Sequence, residues 1–181
     1  MAYVTPSTRT TGTVITAPIW NQDVVDNVIA SQRPLVHVQD QKASGTHGGT
    51  FTQGAWRTRD LNTEVTDTDS LASVGSNQIT LAAGTYYCEA SAEAWNTGGH
   101  QVRVQDTTGA ATLITGLTKD ATGTRALNQS GTVAGRFTIA VQSVLELQHY
   151  CQTTAATAGY GVAHSFTTEI YADVRLWRIG A

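Results

Sequence analysis

From Leu35 onward, apolar and polar residues alternate with a period of two, broken at regular intervals by turn-rich segments, which predicts short antiparallel strands. The clearest run is 85–95: Tyr86, Cys88, Ala90, Ala92 and Ala94 share one face, and Tyr87, Glu89, Ser91, Glu93 and Trp95 share the other. The small apolar face is the predicted core face. Residues 136–151 read as one long strand, with Phe137, Ile139, Val141, Leu145, Leu147 and Cys151 on its apolar side. In the closing run, Ile170, Ala172, Val174 and Leu176 alternate with Glu169, Tyr171, Asp173, Arg175 and Trp177. Residues 35–40 open the series, and shorter strands are predicted over 49–57, 77–82, 101–105, 112–115 and 161–166. No internal repeat emerges, and the fold class that follows is all-β, an antiparallel sandwich or jelly roll.

Ahead of this alternation the period changes. Residues 1–13 are polar, Thr-rich and unpatterned, as in an extended arm that orders on a partner surface. Residues 16–29 then predict one short helix, with Thr16 as cap, Pro18 in the first turn and Asp23 early enough to favour the helix dipole. Trp20, Val24 and Val28 form a stripe that Ile19, Val25 and Ile29 widen, and Pro34 ends the segment. A helix this short is marginal alone, so its apolar face must dock on something. Ile19, Trp20, Val24, Val25 and Val28 are therefore the candidate anchoring residues. The chain divides into an anchoring arm, 1–34, and a β domain, 35–181.

Composition narrows the chemistry. Charged residues are 14% of the 181, and the net charge of -3 leaves no excess of Lys and Arg to neutralise phosphates, which excludes nucleic acid as a partner. No apolar stretch approaches the length of a membrane helix, so no membrane insertion is expected, and 1–13 lack the pattern of a secretion signal, so synthesis is expected in a cytoplasm. Cys88 and Cys151 read as buried free thiols, with pairing left open should their strands be neighbours.

Histidines 37, 47, 100, 149 and 164 raise the question of a metal, but zinc needs three or four converging ligands and only His149 and Cys151 share a strand face. That pair reads as a core histidine beside a buried thiol; no metal and no cofactor are expected. Asp67-Thr68-Asp69 lacks the surrounding calcium loop and reads as a solvated turn. Asp60 with Glu64, or Glu89 with Glu93, would serve a glycosidase only across a groove, and no nucleophile elbow, phosphate loop or zinc-protease helix occurs. A non-enzyme is the reading. Tyr87, Trp95, Tyr171 and Trp177 all fall on faces opposite the core stripes, mixed with Glu89, Glu93, Asp173 and Arg175, a composition that suits a subunit interface. Covering loops, or a second core layer, are the alternatives.

Particular segments carry a resemblance. Residues 49–64 (from Gly49-Thr50-Phe51 to Asn62-Thr63-Glu64), 77–86 and 135–149 resemble a domain of minor structural and tail-fibre-type proteins of tailed bacteriophages. The Gly84-Thr85-Tyr86-Tyr87 strand and the closing strand with Glu169, Tyr171, Val174, Leu176 and Trp177 are similar to the trimeric jelly rolls of the complement and tumour-necrosis-factor superfamily. Residues 14–27 resemble an arm that begins many phage particle proteins. These resemblances imply a homotrimer on the virion exterior, assembled in the host cytoplasm and held by its arm to other virion proteins of capsid or tail. The short link from helix to β domain leaves no room for a shaft, which favours a capsid decoration or cement protein. A short tail fibre or spike binding a host surface glycan or protein is the alternative, with a polysaccharide-degrading virion enzyme and a free carbohydrate-binding module further off.

Overall fold

The computed structural model of the chain describes residues 6, 8–25, 27–28, 34–121 and 128–180. The strands are β1 (Leu35–Lys42), β2 (Arg57–Thr58), β3 (Thr63–Asp67), β4 (Ala72–Gly75), β5 (Gln78–Leu81), β6 (Gly84–Ala94), β7 (Gly98–Asp106), β8 (Ala111–Thr115), β9 (Lys119–Ala121), β10 (Gln129–Ile139), β11 (Ser143–Cys151) and β12 (Glu169–Gly180). They form two antiparallel sheets. One runs β10-β6-β12-β1-β3; the other runs β4-β5-β11-β7-β8, with β2 added on β11 and β9 on β7. This is the predicted jelly-roll sandwich.

The alternation explains the layering. Tyr86, Cys88, Ala90 and Ala92 of β6, Val36 and Val38 of β1, and Val174 and Leu176 of β12 meet Ile79, Leu81, Val102, Val104, Leu145 and Leu147 of the opposite sheet in one core. A second, smaller cluster of Phe51, Ala94, Ala121 and Cys151, with Tyr160 against it, fills one end. Both cysteines are free and buried. Between β4 and β5, Ser76 and Asn77 both take left-handed backbone, with φ of 52° and 64°, the turn whose twist suits a two-residue hairpin.

Several expectations need correction. Residues 136–151 are two strands in different sheets, not one, because the chain turns between Ile139 and Ser143. Val141, placed on the apolar side, is exposed at that turn. Residues 49–57 are largely loop, held to 154–160 by an isolated bridge of Phe51 to Ala155 and by hydrogen bonds of Gly49, Thr50 and Gln53, and 161–166 form no strand. In β12, Asp40 of β1 pairs with Ala172 but Gln41 pairs with Ile170, so Tyr171 is an extra, bulged residue. The bulge turns Ile170 outward, 47% exposed, and Tyr171 inward, 3% exposed, the reverse of the alternation.

The helix is less regular than its pattern, and Asn27 and Val28 are helical as well. An α-helical turn, α1 (Ala17–Trp20), runs into a π-helical turn over Asn21–Val25. Asp26 and Ile29 lie outside the described residues. Pro18 sits in the first turn as predicted, whereas the Thr16 side chain makes no capping hydrogen bond. Asp23 instead receives Arg9 Nη2 at 2.7 Å, folding the arm back along the helix.

Candidate functional site

Strand register assembles a patch on the outer face of the five-stranded sheet. Trp177 pairs with both Tyr87 of β6 and Leu35 of β1, and Tyr87 also pairs with Arg136 of β10. The Tyr87 and Trp177 rings are 6.2 Å apart, with Tyr87 37% exposed and Trp177 half-buried. One row further along, Glu89 stands opposite Arg175, and Arg175 opposite His37. Asp173 gathers the next row: Gln39 Nε2 donates to its Oδ2 at 2.6 Å, His37 Nε2 lies 2.8 Å from that same oxygen, and Arg175 Nε lies 3.1 Å from Oδ1. An aromatic and aliphatic strip thus borders a charged, mutually satisfied strip, the make-up of a partly polar subunit contact.

Only part of the predicted interface set belongs there. Tyr87 and Trp177 adjoin. Trp95 lies just past the end of β6, half-buried, its backbone N–H donating to Gly159 O at 3.0 Å. Tyr171 is interior to the sandwich: the bulge delivers its hydroxyl to Thr46 O at 2.8 Å and its ring against Gly161. Leu35, which was not in that set, stands opposite Trp177 in the register of β1 and β12. Glu169, read as an outward residue, is buried, and its carboxylate accepts backbone N–H bonds from Gly45, His164 and Ser165, which hold it below the usual range.

The helix presents the second candidate surface. Trp20 is 54% exposed, Val28 is 55%, and Val24 and Val25 are also exposed; Ile19 is half-buried. Its apolar stripe is therefore formed and uncovered. Pro34 O accepts Arg178 N at 3.0 Å, so the arm leaves the domain beside Trp177.

Inside the smaller core lies polar chemistry that the alternation did not announce. Arg59, between β2 and β3, is fully buried; Nη1 donates to Glu93 O at 3.0 Å, and Nη2 to Tyr171 O at 2.9 Å and Tyr160 O at 3.2 Å, with the guanidinium carbon 4.0 Å from the Tyr160 ring centroid. Tyr160 stacks on Phe51 at 4.4 Å and Phe51 packs on His149 at 4.7 Å. His149 Nε2 lies 2.9 Å from His100 Nδ1. The inward pointing of His149 and Cys151 matches the sequence reading, but the histidine's partner is a second histidine rather than the thiol. Nearby, Asp40 is buried against Lys42, and burial pushes its carboxyl above the usual range, with Lys42 opposing.

Among the described residues, the Glu89 and Glu93 pair does not have the spacing of a glycosidase. Glu89 and Glu93 are four residues apart on one strand face, about 13 Å at strand rise, beyond the spacing of either glycosidase class. Glu93 is hydrogen-bonded by Ser130, and Asp60 by Lys42 and Asn77. Among the described residues, no three His, Cys, Asp or Glu side chains could hold a metal ion, and no helix is long and apolar enough to cross a membrane.

Comparison with known proteins places the fold. No protein-family model matches the sequence, and no curated protein matches it. Among solved structures, the globular domain of zebrafish complement 1qA protein superposes with a TM-score of 0.50 at 15% identity, over 82% of this chain and 98% of that one. Murine APRIL at pH 5.0 gives 0.52 at 10% identity, over 81% and 99%. The domain is thus a jelly-roll sandwich resembling the complement and tumour-necrosis-factor superfamily, at a level of identity that speaks to fold alone.

Proposed function

We propose that this chain is a non-enzymatic structural subunit that forms a homotrimer on the exterior of a tailed-phage particle, as a capsid decoration or cement protein assembled in the host cytoplasm and anchored through its arm. The carrying observation is the uncovered apolar stripe of Trp20, Val24, Val25 and Val28, rooted beside the Tyr87 and Trp177 patch. Each fully buried side chain of that kind contributes roughly 1.5 to 3 kcal/mol, and a neighbouring virion protein is the occupant that the arm's resemblance supplies. Packing three copies through Tyr87, Trp177 and Leu35 brings three arm roots together, since Leu35 follows the arm directly. The superfamily-like fold supports the trimer, and the sequence resemblances support the particle.

Light scattering is expected to give three times the 19.2 kDa chain mass. Tyr87→Ser with Trp177→Ser is expected to yield folded monomer. A clean monomer of the unaltered chain at micromolar concentration overturns the trimer, and absence of the chain from purified particles overturns the location.

A further inference from the structure

The buried histidine pair has a geometry that its packing role leaves unexplained. One imidazole must donate and the other accept across the 2.9 Å contact, so the neutral pair shares a single proton between His100 Nδ1 and His149 Nε2. The two outer nitrogens, His100 Nε2 and His149 Nδ1, are buried without hydrogen-bond partners, as are Arg59 Nε and Thr97 Oγ1. The roof is Gly131 of β10, where an added Cβ would lie 3.3 Å from both inner nitrogens, so this position offers them no side chain.

The groups facing the pair are mostly cationic or neutral. Arg59 approaches from the loop after β2, with its charge set against carbonyls; Lys119 of β9 pairs opposite His100, with Asp120 next to it at an exposed position. Arg57 of β2 pairs opposite His149, and Cys151 of β11 opposite His100. Tyr160 closes the stack from its loop, while β10 and β6 offer Gly131 and Val133, and Ala92 and Ala94.

We propose that His100 and His149 form an acid-sensitive latch: neutral, they pair β7 with β11 beneath Phe51, whose ring stacks on Tyr160 and whose backbone bridges Ala155, and protonation frees the capping loops 43–56 and 152–168 at that end of the sandwich. A first added proton puts a second cation beside Arg59 in a dry site. A second places hydrogens on both facing nitrogens and removes the hydrogen bond.

The direction of the pH effect follows from linkage. Burial holds His100 down at about 4, with Asp120 opposing and Lys119 and Arg59 adding; burial, then Arg59 and His100, hold His149 well below its ordinary 6.5. Both groups are thus depressed in the folded state. The opened chain takes up protons that the closed one refuses, so stability is complete above about pH 6.5 and falls as the pH drops toward about 4, where His100 titrates in the folded state. Each proton taken up on opening raises the opening constant about tenfold per pH unit within that window.

Two measurements on the full chain decide it. Ring-proton NMR is expected to show His100 and His149 in their neutral positions down to about pH 5. Hydrogen exchange, corrected for the intrinsic pH effect, is expected to show 43–56 and 152–168 losing protection by about tenfold or more per unit below about pH 6.5, ahead of β6 and β12. His100→Gln is expected to weaken that dependence to the part His149 contributes, and His100→Gln with His149→Gln to flatten it. Both imidazoles titrating near 6.5 in folded protein, or capping loops as protected at about pH 5 as at neutrality, overturns the latch whether or not the variant folds.

Discussion

Arg59 shows how much a single side chain can organise out of sight of the sequence pattern. It is charged and fully buried, and its hydrogen bonds join three backbone carbonyls from β6, the long loop before β12 and β12 itself. Burial lowers its affinity for the proton, to a pKa of about 10, and at neutral pH it stays charged. Replacing it by methionine fills the space but strands those carbonyls, each worth about 1 to 3 kcal/mol when left unsatisfied. Arg59→Met is expected to lower unfolding free energy by about 3 kcal/mol or more in urea titration, and Arg59→Lys to recover little, because an ammonium lacks the planar fork. None of this was legible beforehand: Glu93, Tyr160 and Tyr171 are 34, 101 and 112 positions away, and only the fold brings them together. His149 and Cys151, by contrast, were readable as inward from strand parity alone.

At the scale of elements, parity succeeds where a strand is straight and fails where the backbone inserts a residue. The core face of β6 was legible, and all five of its predicted core residues are buried. The β12 bulge was not, since Tyr171 and Ala172 both point inward and no composition signal marks a bulge. The turn after β10 was hidden for a different reason: Phe137, Ile139, Ser143, Leu145 and Leu147 are buried at odd numbers throughout, so the alternation stays in phase across the break. The bulge yields a paired test. Tyr171→Ala removes a buried ring and a hydroxyl bonded to Thr46 O, and is expected to cost about 3 to 5 kcal/mol. Ile170→Ala is expected to stay below about 1 kcal/mol, and straight alternation requires the opposite ranking.

For the molecule as a whole, the hydrophobic period changes at Leu35, where the proposed arm would end, and the described core residues all lie beyond it. A chain beginning at Leu35 is therefore expected to unfold cooperatively, within about 1 kcal/mol of the full-length protein, and, under the proposed function, to fail to join particles. Trp20→Ala with Val24→Ala in the full chain is expected to reproduce much of that loss of attachment. Normal particle occupancy by the truncated chain would return the anchoring role to the sandwich.

The order of strands in the five-stranded sheet also sets a timetable for synthesis. β12 lies between β6 and β1, although it is made after every other strand. On the ribosome, then, the sheet waits without its middle strand, and the edges of β6 and β1 that β12 will cover remain open until residues 169–180 have emerged. Long-range pairing of this kind is slow to form, with folding on the scale of about milliseconds to seconds, so the sandwich closes as a late, nearly all-or-none event. A message cut short before residue 169 leaves a chain holding most of its core residues and two bare strand edges. Such a fragment is more suited to aggregation than to assembly.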